Sequence, residues 1–127
     1  TSMDALTRNM TEDTPYINFV PETGIFEMSG RSLPEDAAKF YDPIHEWVKN
    51  YVSSASDETT VKMKLDYFNS ASARKIVEIL FILEEILANN KEVKVIWYYH
   101  EEDEVMEARG EEVKSVVELP FELQSIT

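Results

Sequence analysis

Two segments of the chain, residues 60–68 and 93–99, alternate between apolar and polar side chains. Strict alternation is the period of a β-strand, because successive side chains point to opposite faces of the sheet. Lysines occupy one side of both segments, whereas strands covered on both faces are apolar throughout. We therefore expect one open face of the sheet. The predicted open side carries Lys62, Lys64 and Lys94, and the predicted buried side includes Tyr67, Val95 and Trp97.

Helical periodicity and turn residues separate these strands from their neighbours. The other predicted elements are strands over residues 16–20, 25–29 and 116–123, and helices over 35–53, 69–89 and a short stretch from Asp103. A loop is predicted over residues 30–34. Pro43 lies inside the first helix, where it is expected to remove a hydrogen bond and bend the helix.

Strands that alternate with helices predict an α/β fold with a mixed sheet, whose opening pair is an antiparallel hairpin. Since one face is expected to be open, the helices should lie mainly on the other. Residues 1–14 are polar and aperiodic and are predicted to form a flexible lead, and residues 15–127 a single domain.

The formal net charge of −13, from 25 acids and 12 bases, argues against nucleic acid or an anionic membrane as a partner. The chain has no cysteine, which fits a reducing compartment and excludes thiol catalysis and cysteine-bound metals. No stretch resembles a membrane helix or a signal peptide, so a cytoplasmic location is expected.

Catalytic motifs are absent from the sequence. The three glycines stand apart at positions 24, 30 and 110, which excludes a phosphate-binding glycine loop. His45 is interpreted as a surface residue of the first helix. The run His100-Glu101-Glu102-Asp103 could hold a metal in a hydrolase, but adjacent acids after a strand are typical of a solvated loop. We therefore expect no enzyme activity, no metal and no cofactor.

The junction between residues 67 and 75 is the most informative part of the chain. Asn69, Ser70 and Ser72 are residue types that cap helices, and the free backbone N–H groups of a helix start attract anions. Arg74 and Lys75 follow in the opening turns, where a cation is unfavourable unless an anion occupies the cap. The site is therefore either an ordinary cap or a position for a phosphorylated serine.

The helix after this junction has an apolar surface wider than a helix on a sheet requires, because only Glu78 interrupts residues 76–83. Two explanations remain open. The helix is either buried between the sheet and a neighbouring helix, or it presents a flank to a partner protein beside the serine turn.

A series of short motifs resembles one bacterial family. In chain order they are Thr14-Pro15, Gly30-Arg31-Ser32-Leu33-Pro34-Glu35, Phe40-Tyr41-x-Pro43, Trp47, Leu65-x-Tyr67-x-Asn69-Ser70-Ala71-Ser72, Trp97-x-Tyr99 and Pro120-Phe121. Together they resemble the SiaC-like regulatory phosphoproteins, whose fold is similar to that of the STAS-type anti-sigma-factor antagonists. The resemblance extends from Thr14 over nearly the whole remaining chain.

The resemblance implies a partner-switching protein that a protein serine/threonine kinase phosphorylates and a PP2C-type phosphatase dephosphorylates. The unphosphorylated form would bind a diguanylate cyclase and promote cyclic-di-GMP synthesis, which links the family to biofilm formation. The family acceptor, a threonine in an Asn-Thr-Ser-Ser turn, corresponds to Ser70, with Ser72 as the second choice. The middle serine corresponds to Ala71.

The sequence therefore predicts a phosphorylation-switched binding protein. The side chains expected to bind phosphate or partner are Asn69, Ser72, Arg74, Lys75 and Arg31. The alternative is a ligand-binding or homodimerising scaffold in which Ser70 only caps a helix.

Overall fold

The computed structural model describes residues 4–127, which form one six-stranded sheet and four helices. The elements follow in the order β1 (Leu6–Arg8), β2 (Tyr16–Val20), β3 (Ile25–Ser32), α1 (Ala37–Val52), β4 (Glu58–Phe68), α2 (Ser70–Leu83), α3 (Glu85–Ala88), β5 (Glu92–His100), α4 (Glu104–Val116) and β6 (Phe121–Ile126). The predicted α/β class and single domain are confirmed.

The strands lie side by side in the order in which they occur in the chain. β1, β2 and β3 are antiparallel neighbours, and β3 to β6 are parallel. Each pair of successive parallel strands is connected through a helix, and such crossover connections are right-handed. Because the strands follow one another in one direction across the sheet, all these helices lie on the same face. The mixed sheet with helices on one face is therefore confirmed.

The core lies between that face and the helices. Phe26, Val61 and Val95 are aligned across three strands and are buried, as is Trp97 in the next row. On the opposite face the high exposure expected of the lysines is confirmed for Lys64 and Lys94 and is wrong for Lys62, which is half-buried. The Lys64 ammonium lies 5.0 Å from the centre of the Tyr98 ring on this open face.

The prediction that Tyr67 is buried is wrong. The pairing between β3 and β4 shifts after Gly30, so that Arg31 is opposite Tyr67 and Asp66 is passed over. This bulge reverses the alternation at the end of β4. Tyr67 is consequently 47% exposed, and Phe68 takes its place in the core.

Several predicted boundaries also change. Leu6–Arg8 pairs with β2, so the flexible lead predicted over residues 1–14 is wrong for this strand; residues 1–3 lie outside the described part of the chain. The loop predicted over 30–34 begins only after Ser32, because β3 continues beside β4. The last strand begins at Phe121 and not at 116, where α4 still continues. Within residues 4–127 no helix is both long and apolar enough to cross a membrane.

Candidate regulatory site

The serine turn joins the end of β4 to the beginning of α2. Asn69 is the N-cap: its backbone is extended, and its side-chain oxygen accepts a hydrogen bond of 2.9 Å from the backbone N–H of Ser72. The Asn69 N–H in turn donates to the carbonyl of Ser32 at 3.1 Å, which ties the turn to the end of β3. The predicted helix cap at this turn is therefore confirmed. Of the three candidate residues Asn69, Ser70 and Ser72, Asn69 is the N-cap, and the alternative in which Ser70 is the cap is wrong because Ser70 is already the first residue of α2.

The two candidate hydroxyls differ completely in accessibility. Ser70, the first residue of α2, is exposed, whereas Ser72 is 0% exposed. A kinase must bring the hydroxyl that it modifies into its own active site. Because Ser70 is exposed, a kinase can reach it without any change in the fold. Ser72 would first have to leave the core.

Ser72 belongs to a buried hydrogen-bond chain that connects three elements. The Ser32 hydroxyl donates to the Ser72 hydroxyl oxygen at 2.9 Å, and the Tyr41 hydroxyl lies 2.5 Å from the Ser32 oxygen. Because the single Ser32 proton is used toward Ser72, Tyr41 is the donor to Ser32. Burial raises the pKa of Tyr41 to about 12, against the smaller opposing effect of its hydroxyl neighbours. The chain fixes the first turn of α2 against β3 and α1.

The three cations that were predicted to bind phosphate or partner differ in burial and in charge pairing. Lys75 is partly buried, and its ammonium lies 3.7 Å from a carboxylate oxygen of Asp42 and 3.8 Å from one of Glu78. Arg74 is exposed, and no carboxylate of residues 4–127 lies within 4.0 Å of its guanidinium. Arg31 is exposed at the end of β3, opposite Tyr67. Lys75 therefore bridges α1 and α2, and Arg74 keeps an unpaired charge.

The interpretation of His45 as a surface residue is wrong. Its ring is buried between α1 and α2, where Nε2–H donates to the Lys75 carbonyl at 3.1 Å. Nδ1 lies 3.7 Å from a carboxylate oxygen of Glu78. His45 thus helps to hold α2 against α1. Its burial results from the packing of these two helices, whose contacting residues are thirty positions apart in sequence.

An apolar groove of about 540 Å³ runs between α2 and α4. α2 contributes Ala73, Arg74, Val77, Glu78 and Phe81, and α4 contributes Arg109, Glu112, Val113 and Val116. Phe68 also lines it, and the Arg109 guanidinium lies 5.9 Å from the centre of the Phe68 ring. The wide apolar surface of the helix after the serine turn is thus divided: Ile76, Ile79, Leu80 and Leu83 are buried, and Phe81 faces the groove mouth at 45% exposure.

The run of acids after β5 contains the residue that caps the next helix. Asp103 is the N-cap of α4, and its side chain accepts a hydrogen bond of 3.0 Å from the Met106 backbone N–H. Within residues 4–127 no group of three or more His, Asp or Glu side chains is arranged to hold a metal ion.

Sequence reasoning missed the α4 side of the groove. Arg109, Val113 and Val116 follow one another at spacings of four and three residues, which places them on one side of a helix. That spacing was available as a signal within the acid-rich stretch. The roles of Ser32 and Tyr41 had no comparable local signal, because their partners are distant in sequence.

Comparison with known proteins identifies the family. A family model described as SiaC family regulatory phosphoprotein matches residues 8–126. The chain belongs to the SiaC family. A relative with a similar sequence is an uncharacterized protein of Pseudomonas aeruginosa (strain UCBPP-PA14), which is 26% identical over 115 residues that make up 91% of each chain.

Solved structures of SiaC from Pseudomonas aeruginosa have the same fold as this SiaC-family chain. The crystal structure of apo-SiaC matches with a TM-score of 0.89 and 25% identity, over 97% of this chain and 100% of that one. A second match comes from the crystal structure of the diguanylate cyclase SiaD in complex with its activator SiaC. Its TM-score is 0.88 at 26% identity, over 95% of this chain and 99% of the other.

Proposed function

We propose that this SiaC-family protein, in its unmodified form, binds and activates a diguanylate cyclase and so promotes cyclic-di-GMP synthesis. The observation that carries the proposal is the match over 95% of the chain to a structure in which SiaC is in complex with the cyclase that it activates. The residues that match the family, 8–126, include the strand–helix junction and the groove beside it.

We also propose that phosphorylation at Ser70 switches this activity, through a protein serine/threonine kinase and a PP2C-type phosphatase. The exposed hydroxyl on the first residue of α2 supports Ser70, and the burial of Ser72 argues against the alternative acceptor. Phosphate adds a charge of about −1.5 to −2 and three acceptor oxygens. An interface formed around an uncharged serine would have to desolvate that charge, which opposes binding.

The proposed role is regulatory and not enzymatic, as the family description of a regulatory phosphoprotein suggests. A chain without cysteine that acts on cyclic-di-GMP synthesis fits the cytoplasm, which we propose as its location.

The test is the rate of cyclic-di-GMP formation by the diguanylate cyclase encoded in the same genome, measured with and without this protein. Unmodified wild-type protein and Ser70→Ala should both raise the rate, because neither carries a charge at the junction. Phosphorylated protein should bind the cyclase about thirtyfold more weakly, a difference of about 2 kcal/mol, and should therefore need an about thirtyfold higher concentration for half-maximal activation. Ser70→Asp should weaken binding to the cyclase less than phosphorylation does, since a carboxylate carries less charge than a phosphate.

Two results would contradict the proposal. A cyclase rate that does not respond to unmodified protein would exclude the activator role. Equal activation by unmodified and phosphorylated protein would leave Ser70 as an ordinary first residue of α2.

A further inference from the structure

Resting on the function proposed above, we infer that the α2–α4 groove binds an apolar segment of the partner that carries a carboxylate. We further infer that a phosphate on Ser70 opposes this binding by pairing with Arg74 within the same chain. The groove is defined by the lining residues given above, and Arg74 is the residue that connects it to Ser70.

The groove exposes apolar side chains that have no role in the core. Phe81 is 45% exposed on the α2 side and Val116 is 53% exposed on the α4 side, and both line the groove. Neighbouring exposed apolar groups between two helices are typical of a surface that another protein covers. The half-buried Val77 and the buried Val113 continue the apolar lining.

The charges at the groove indicate the chemistry of the occupant. Arg109 already lies 3.7 Å from a carboxylate oxygen of Glu112, whereas Arg74 has no carboxylate of residues 4–127 within 4.0 Å. An unpaired arginine beside apolar side chains, on a chain of net charge −13, is complementary to a partner carboxylate. The occupant is therefore apolar with an acidic residue near Arg74.

Ser70 and Arg74 are both exposed and lie four residues apart in α2, so their side chains are neighbours on one side of the helix. A phosphate on Ser70 would offer Arg74 more charge and more acceptor oxygens than a partner carboxylate does. The phosphate would thus keep the Arg74 guanidinium paired within the same protein, where the partner carboxylate cannot bind it. The phosphate would also repel that carboxylate. Lys75 is already paired with Asp42 and Glu78, which leaves Arg74 as the unpaired cation of α2 nearest to Ser70.

The groove is tested by calorimetric titration of the cyclase encoded in the same genome into unmodified wild type, Val116→Asp and Val105→Asp. Val105 is the matched control, because it lies on the same helix, is 67% exposed and does not line the groove. Val116→Asp should weaken binding by at least about tenfold, and Val105→Asp by less than about twofold. Wild-type affinity in Val116→Asp would overturn the groove assignment alone. No binding by the wild type would overturn the proposed function as well.

The role of Arg74 is tested by comparing phosphorylated and unmodified protein in the wild type, Arg74→Gln and Lys114→Gln. Lys114 is an exposed cation on α4 that does not line the groove, so it controls for the lost charge. Phosphorylation should weaken binding about thirtyfold in wild type and Lys114→Gln, but only by about tenfold in Arg74→Gln, where the cost of desolvating the phosphate remains but there is no Arg74 pair left to lose. The same thirtyfold loss in Arg74→Gln would show that the phosphate acts without Arg74.

Discussion

The hydroxyl of Ser32 donates a hydrogen bond of 2.9 Å to the hydroxyl of Ser72, forty residues further along the chain. This contact joins the end of the central strand β3 to the first turn of α2, and Tyr41 extends it to α1. Because Ser72 is two residues from Ser70, the contact holds the backbone of the proposed phosphorylation site in place. The same contact makes Ser72 inaccessible while Ser70 remains exposed.

The first prediction concerns the position of the phosphate. With the cognate kinase, phosphopeptide mapping should find phosphate on Ser70 in wild type and in Ser72→Ala, and no phosphate at this turn in Ser70→Ala. Ser72→Ala should also lower the free energy of unfolding by about 1–3 kcal/mol, because it removes a buried hydrogen-bond partner of Ser32. Phosphate on Ser72 of the folded wild-type protein would contradict the assignment.

A second prediction concerns alkaline pH. Tyr41 has its pKa raised to about 12 by burial, whereas an unfolded tyrosine has a pKa near 10. Between these values the unfolded chain loses the proton that the folded chain retains, so the free energy of unfolding should fall as pH rises, by at most about 3 kcal/mol. Urea denaturation at pH 8 to 11 measures this fall. In Tyr41→Phe the free energy of unfolding should depend less steeply on pH than in wild type. The same pH dependence in both proteins would exclude Tyr41 as the source of the fall.

The N-cap gives a third prediction. Asn69→Ala should lower the free energy of unfolding by about 1 kcal/mol, because the Ser72 N–H loses its acceptor, whereas Asn69→Asp retains an oxygen there. Asn50→Ala, at an exposed position of α1, is the control and should change stability little. Equal stability of Asn69→Ala and wild type would show that water replaces the cap without cost.

Gly110 provides a fourth prediction. A Cβ at this position of α4 would lie 2.6 Å from the Cδ1 atom of the buried Trp97 and 2.9 Å from a methyl group of Leu123. Gly110→Ala should therefore destabilise the protein by about 1 kcal/mol or more, although alanine favours helices by a similar amount. Urea denaturation followed by circular dichroism, a signal that does not depend on Trp97, checks this result. In a Trp97→Phe background the loss should be smaller; an undiminished loss would place the strain elsewhere.

The strands and helices followed from local patterns to within a few residues over most of the chain. The alternation in β4 and β5 predicted both the elements and the open lysine face, because side-chain direction in a strand depends only on position along it. The prediction of buried and exposed side chains failed at the end of β4, where the alternation is interrupted. At Asp66 the bulge against Gly30 reverses the sides of Tyr67 and Phe68, and such a bulge depends on the pairing of two strands.

The candidate site divides in the same way. The sequence by itself determined that a helix cap lies within residues 69–72 and that two cations follow it, since a cap involves residues within a few positions of one another. Only the tertiary structure decided that Ser70 is exposed and Ser72 buried, that Lys75 is paired and that Arg74 faces a groove. The physical reason is that burial and charge pairing depend on neighbours brought together by folding, and Ser32, Asp42 and Val116 are far from Ser70 in sequence.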